Sequence, residues 1–188
     1  MQIIVDRLNG IIRTALQAYL AAERDLDIAN ESRDQAAITA AKEKVKLAGR
    51  QAVDLLHHFA DFVFKEPASL PTTFADIGAV RAAIKPLCVF GRSGPPIDDV
   101  DLLREVADAF KHHRPDRRNA TVSVSFAITT QYGGYGQLRF GEGKYGGAEQ
   151  TIVTRTTGER RALSSILQNV FDAWMTYLGQ PLPPISQY

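Results

Sequence analysis

The sequence has no long hydrophobic run, a single cysteine and almost no excess of charge of either sign. Lysine and arginine total 22 against 21 aspartates and glutamates, a formal net charge of +1. Near-neutrality excludes a chain driven onto nucleic acid or a membrane by its overall field, so any such surface has to be local. The lone Cys88 excludes an intramolecular disulfide and fits a reducing compartment. It stands in "PLCVF" among apolar neighbours, the setting of an inert buried thiol rather than a nucleophile. No stretch is long enough to span a bilayer, and Asp6, Arg7 and Arg13 interrupt the apolar residues of "MQIIVDRLNGIIRTALQ", unlike a signal-peptide core. The cytoplasm is the expected compartment, with no membrane partner. No motif for a cofactor is found, so none is expected.

What is present is an ordinary globular composition, 45% hydrophobic and 23% charged, over a length that suits one domain spanning residues 1–188. The first third reads as helix. Ile4, Leu8, Ile11, Ala15, Ala18 and Ala22 fall at alternating steps of four and three. A second stripe, Ile38, Ala41, Val45, Ala48, Ala52, Leu55, Phe59 and Phe62, keeps a heptad spacing. The spacing predicts a long antiparallel helical hairpin over 2–64, with helices 2–28 and 32–64. Asn30-Glu31-Ser32 supplies the break, with Asn30 or Ser32 as cap. The alanines let the two backbones approach closely.

Five prolines, together with Gly91 and Gly94, mark 65–97 as a connector with room for one short helix near 74–84. A helix over 98–113 follows, its acidic first turn in "PPIDDVD" suited to the helix dipole and its stripe made by Leu103, Val106 and Phe110. The period then changes to two. "TVSVSFAITT", "QLRF" and "QTIVTRT" predict a small antiparallel β-meander over 120–157. A last helix over 159–178 carries Leu163, Ile166, Leu167, Val170, Phe171, Trp174 and Leu178 on one side. The expected fold is mainly α (α+β): a helical bundle built on the long hairpin, with the meander inserted before the last helix.

All four histidines occur as pairs, His57-His58 and His112-His113. Asp54, His57, His58 and Asp61 have offsets of 0, 3, 4 and 7, which puts them on one helical face and makes them candidate metal ligands. The seam predicts that this face is the solvated back of the helix, whereas helical metal bundles aim their ligands inward. Arg50 and His57 form an Arg-x6-His pair, which resembles the signature of HEPN ribonucleases. In that chemistry a guanidinium holds the scissile phosphate while histidine moves the proton of the ribose 2′-hydroxyl. Gln51 after the arginine departs from the usual pattern. "GEGKYG" at 141–146 is formally Gly-x-Gly-x-x-Gly, but it leads into a strand where a dinucleotide fold needs a helix, so it reads as turn chemistry. The surrounding "YGGYGQLRFGEGKYGG" interleaves tyrosines with Arg139 and Lys144. That pattern stacks single-stranded bases in some proteins and makes tight hairpins in more.

In "DAFKHHRPDRR", Lys111, Arg114, Arg117 and Arg118 gather cations where a helix end favours them. Ala107, Asp108, Lys111, His112, Asp116 and Arg117 follow the pattern Ala-[Asn/Asp]-x-x-Lys-His…Asp-Arg. This segment resembles one in uncharacterised bacterial HEPN-like helical proteins, over about residues 98–178. The resemblance implies that Lys111 and His112 act as a unit. The expected function is a binding or interaction module whose basic surface comprises Lys111, His112, Arg114, Arg117 and Arg118, with RNA or an acidic protein as partner and the hairpin as a homodimer surface. The alternative is a metal-independent ribonuclease using Arg50 and His57, or Lys111 and His112. A metal-bound bundle is third.

Overall fold

The computed structural model describes residues 1–70, 72–111, 120–122, 127–131 and 150–183. These form a mainly helical protein built on a long antiparallel hairpin, with a small three-stranded antiparallel sheet before the final helix.

The first rod is α1 (Gln2–Arg7), a π-helical turn (Leu8–Ile12) and α2 (Arg13–Ser32). The π turn departs from the expected periodicity. A π turn takes one extra residue, so it slips the core-facing stripe by one position. The stripe begins as expected with Ile4 and Leu8 and keeps Ala15 and Ala22, but also takes in Ile12, Leu16, Tyr19 and Leu26, while Ile11 and Ala18 face solvent. The rod ends later than the expected break. Asn30 and Ser32 are helical, and their side chains donate back to the carbonyls of Leu26 and Ala29. Arg33 takes the left-handed conformation with φ 59°, and Asp34 is the cap, accepting from the amides of Ala36 and Ala37.

The return rod is α3 (Gln35–His57) followed by α4 (Phe59–Lys65), with a break at His58. Its buried face also rotates. Val45, Ala52 and Phe59 are buried as expected, but the core also takes Gly49, Val53, Leu56, Ala60 and Val63, leaving Leu55 and Phe62 only half-buried. A straight α-helix drifts by about 20° per heptad against a strict seven-residue repeat. Three repeats bring the next column of side chains, and with it His57, to the edge of the core.

The connector holds α5 (Ile77–Ile84), capped by Asp76, whose carboxylate accepts from the amide of Ala79. Next come α6 (Asp99–Lys111), β1 (Ile128–Gln131), β2 (Gln150–Thr154), β3 (Arg160–Ala162) and α7 (Leu163–Tyr177). The strands pair in the order β1-β2-β3, with Ile128 opposite Val153 and Ile152 opposite Ala162. Residues 160–162, expected as the first turn of the last helix, are strand. Ala162 is extended (ψ 131°) and the chain passes straight from sheet to helix. Val122 is buried as expected, whereas Val124, Phe126, "QLRF" and the glycine-rich run lie outside the described residues.

Helix α7 is the centre of the molecule, buried on every side from Leu163 to Met175 except at the half-buried Ser165. Trp174 meets the Phe59 ring edge-on at 4.8 Å, which closes the hairpin onto this helix. Full burial also takes in the polar Gln168, Asn169 and Asp172; Gln168 donates to Asp172, and Asn169 reaches the start of α6. There each acidic residue has its own cation: Asp98 holds Arg155 at 2.7 Å, Asp99 holds Arg161 at 2.8 Å, and Asp101 holds Lys85 at 2.7 Å. Asn169 donates to Asp99, and Arg92 binds Asp172 and the carbonyl of Pro183. Cys88 is fully buried, and burial, with Asp99 nearby, pushes its thiol up to about 12, so it carries no thiolate at neutral pH.

Candidate functional site

The break between α3 and α4 places His58 where no regular helix would. Its amide donates to the Asp54 carbonyl and its own carbonyl accepts from the amides of Asp61 and Phe62, so His58 stays hydrogen-bonded to both helices across the break. The half-exposed imidazole then has two partners. Nδ1 lies 2.6 Å from Oδ2 of Asp61, and Nε2 lies 2.7 Å from Nζ of Lys111 at the end of α6. On the far side of Asp61, Oδ1 is 3.6 Å from the guanidinium of Arg81 on α5. Three helices and the α3–α4 break thus contribute to one chain of polar groups running Arg81, Asp61, His58, Lys111.

Geometry assigns the protons along that chain. A carboxylate only accepts and an ammonium only donates, so His58 carries its hydrogen on Nδ1 and offers the Nε2 lone pair to Lys111. Lys111 has three donors, and among the described residues it uses one, on His58. With the imidazole neutral, the cluster has two cations and one anion.

His57 is placed differently from its neighbour, although their rings touch edge-on at 4.8 Å between centroids. It is half-buried, beside Leu56, Ala60, Arg81, Leu103 and Trp174, next to a void of about 10 Å³. Burial, then the charges of Arg81, His58 and Lys111, lower its pKa to about 3, so it is neutral at physiological pH. A space of that size holds at most one water and no ribose. The expected Arg50–His57 pair is therefore split. Arg50 is exposed and faces Asp54 of its own helix at 4.0 Å, while His57 is half-buried at the edge of the core.

The four candidate metal ligands do not converge. Asp54 pairs with Arg50 and Asp61 with His58, and among the described residues no three His, Cys, Asp or Glu side chains are grouped to hold a metal ion. Of the expected basic surface, Lys111 is described. His112, Arg114, Arg117 and Arg118 lie outside the described residues. Arg81 was missed by sequence reasoning, because a single cation in "AVRAAI" carries no signal of what it faces. Glu105 was missed as well. Its carboxylate accepts from the amides of Thr121 and Val122 and from the Thr121 hydroxyl, fixing the chain after α6.

No family model, no curated protein and no solved structure matches the chain. Among the described residues no helix is long and apolar enough to cross a membrane.

Proposed function

We propose that the chain is a binding module that grips an anionic partner at the Lys111 end of α6, with RNA as the partner the chemistry fits best. The single observation that carries this reading is the Lys111–His58 contact of 2.7 Å, which holds an exposed ammonium in place through one of its three donors. A pinned cation loses less freedom on binding a phosphate than a free one does. The sequence continues from Lys111 into Arg114, Arg117 and Arg118. Chain connectivity keeps the last of these within about 25 Å of it. A cluster of this kind suits phosphates, and its affinity falls steeply with salt.

The test is fluorescence anisotropy with a labelled single-stranded RNA at several salt concentrations. Lys111→Ala should weaken binding about tenfold and lower the salt slope by about one, with similar loss for every sequence. Equal binding by wild type and variant, or a preference for polyglutamate over RNA, would reject the reading.

A second reading, a metal-independent ribonuclease of HEPN type, draws on the Asp61–His58 dyad. A carboxylate behind Nδ1 with a lone pair on Nε2 is the orientation of a general base. On this reading the base is His58, with Lys111 steadying the phosphate. RNA cleavage that resists EDTA and is lost in His58→Ala, but kept in His57→Gln, is its expected sign.

A further inference from the structure

Next along α6 from Lys111, Phe110 lines a pocket of about 430 Å³ formed by α3, the end of α6, β1 and the start of α7. This is within the range of small-molecule sites, and its surfaces are of two kinds. The apolar wall is made by Val45, Phe110, Ile128 and Leu163. The exposed lysines Lys42 and Lys46 border it one helical turn apart, hence on the same face of α3. Their neighbour Lys44 is paired with Asp25, but among the described residues neither Lys42 nor Lys46 has a carboxylate partner. Glu43 also lines the pocket, so the rim is net positive by one charge.

A cavity with an apolar wall, bordered by two ammonium groups that have no carboxylate partner among the described residues, matches a molecule with an apolar body and one negative end. We propose that this pocket binds an amphipathic monocarboxylate, with the hydrocarbon or aromatic part against Val45, Phe110, Ile128 and Leu163 and the carboxylate between Lys42 and Lys46. The polar rim sets the orientation and the wall supplies most of the affinity. Exposed ion pairs are individually weak, so the two lysines distinguish an acid from its neutral counterpart by about tenfold.

The test compares decanoate, decanol and decylamine by calorimetric titration and thermal shift on the full chain. Decanoate should bind one to one and raise the melting temperature, decanol about tenfold more weakly, and decylamine not measurably. Lys42→Gln with Lys46→Gln, both changes on the solvent face, should abolish the preference for the acid and leave decanol binding unchanged. Thr130→Trp, which fills the pocket from β1, should remove binding of both. If that variant does not fold, the lysine double variant still decides. Equal affinity for decanoate and decanol, a preference that survives in the double variant, or no saturable binding would each overturn the proposal. So would lysine-dependent binding to phosphatidylglycerol vesicles that Thr130→Trp leaves intact, because it would place the lysines on a lipid surface instead.

Discussion

The Nζ of Lys111 lies 2.7 Å from Nε2 of His58, a contact between residues 53 positions apart that joins the end of α6 to the break between α3 and α4. It fixes the histidine tautomer, because the ammonium has no lone pair with which to accept and Asp61 has no proton to give. Long-range nitrogen–proton correlation spectra should therefore show His58 as the Nδ1–H form near neutral pH. Asp61→Asn removes the acceptor that selects this form, and a mixture of tautomers is expected there. A wild-type spectrum of the Nε2–H form would contradict the geometry. Both partners are largely exposed, so Lys111→Ala should leave stability within about 1 kcal/mol of wild type.

His57 makes stability depend on pH. Its folded pKa of about 3 is below the ordinary histidine value of 6.5, so the unfolded chain takes up the proton first as pH falls. Above about pH 7 the imidazole is neutral in both states and contributes no pH dependence. Between 6.5 and about 3 stability is lost, by up to about 1 kcal/mol per pH unit. The melting temperature of wild type should fall more steeply over that window than that of His57→Gln. Parallel curves would mean that the ring is solvated.

The sequence displays what repeats and hides what slips. The hairpin, the acidic start of α6 and the strand around Ile128 follow from spacing that the chain keeps. The half-buried position of His57 follows from small offsets, the drift of α3 against its heptads and the break at His58, and no individual residue records these. The same holds for α1–α2, where the extra residue of the π turn at Leu8–Ile12 exposes Ile11 and buries Ile12. The chain Arg81–Asp61–His58–Lys111 is harder still to foresee. Its two ends come from helices whose mutual placement depends on a third, α7, whose polar residues resemble those of an ordinary surface face until it is seen to be buried all round.

Two helical glycines should respond to alanine with opposite sign. At Gly49 an added methyl carbon would meet Cε2 of Tyr19 at 3.2 Å and Cδ2 of Leu163 at 3.3 Å. Tyr19 is fully buried with its hydroxyl on Glu23, so it has little room to give. Overpacking of this kind costs about 1–3 kcal/mol, more than the roughly 1 kcal/mol gained in helix propensity. Gly49→Ala should thus lower stability in urea denaturation. Gly10 has nothing within 4 Å of that position, and Gly10→Ala should raise it by about 0.5–1 kcal/mol. A stabilising Gly49→Ala would show that α2 and α3 can separate.

The buried network at the centre makes the strongest prediction, because its members were removed from water together. Asp99 is fully buried, and Oδ2 accepts from Arg161 at 2.8 Å and from Asn169 at 2.9 Å. Burial raises its pKa, and the two donors oppose that rise without cancelling it. Arg161→Met takes away the cation and leaves the carboxylate without a counter-charge, a loss that costs about 3–5 kcal/mol in comparable pairs. Part of the loss should return as pH falls, because a group whose folded pKa is raised favours the folded state once it is protonated. Adding Asp99→Asn to Arg161→Met removes the charge altogether, so the double variant should be more stable than Arg161→Met alone at neutral pH. The double-mutant cycle then gives a coupling of more than about 1 kcal/mol between the two residues. Additive losses would mean that Arg161 acts through its packing over Phe90, whose ring centre lies 5.7 Å from the guanidinium, and not through its charge.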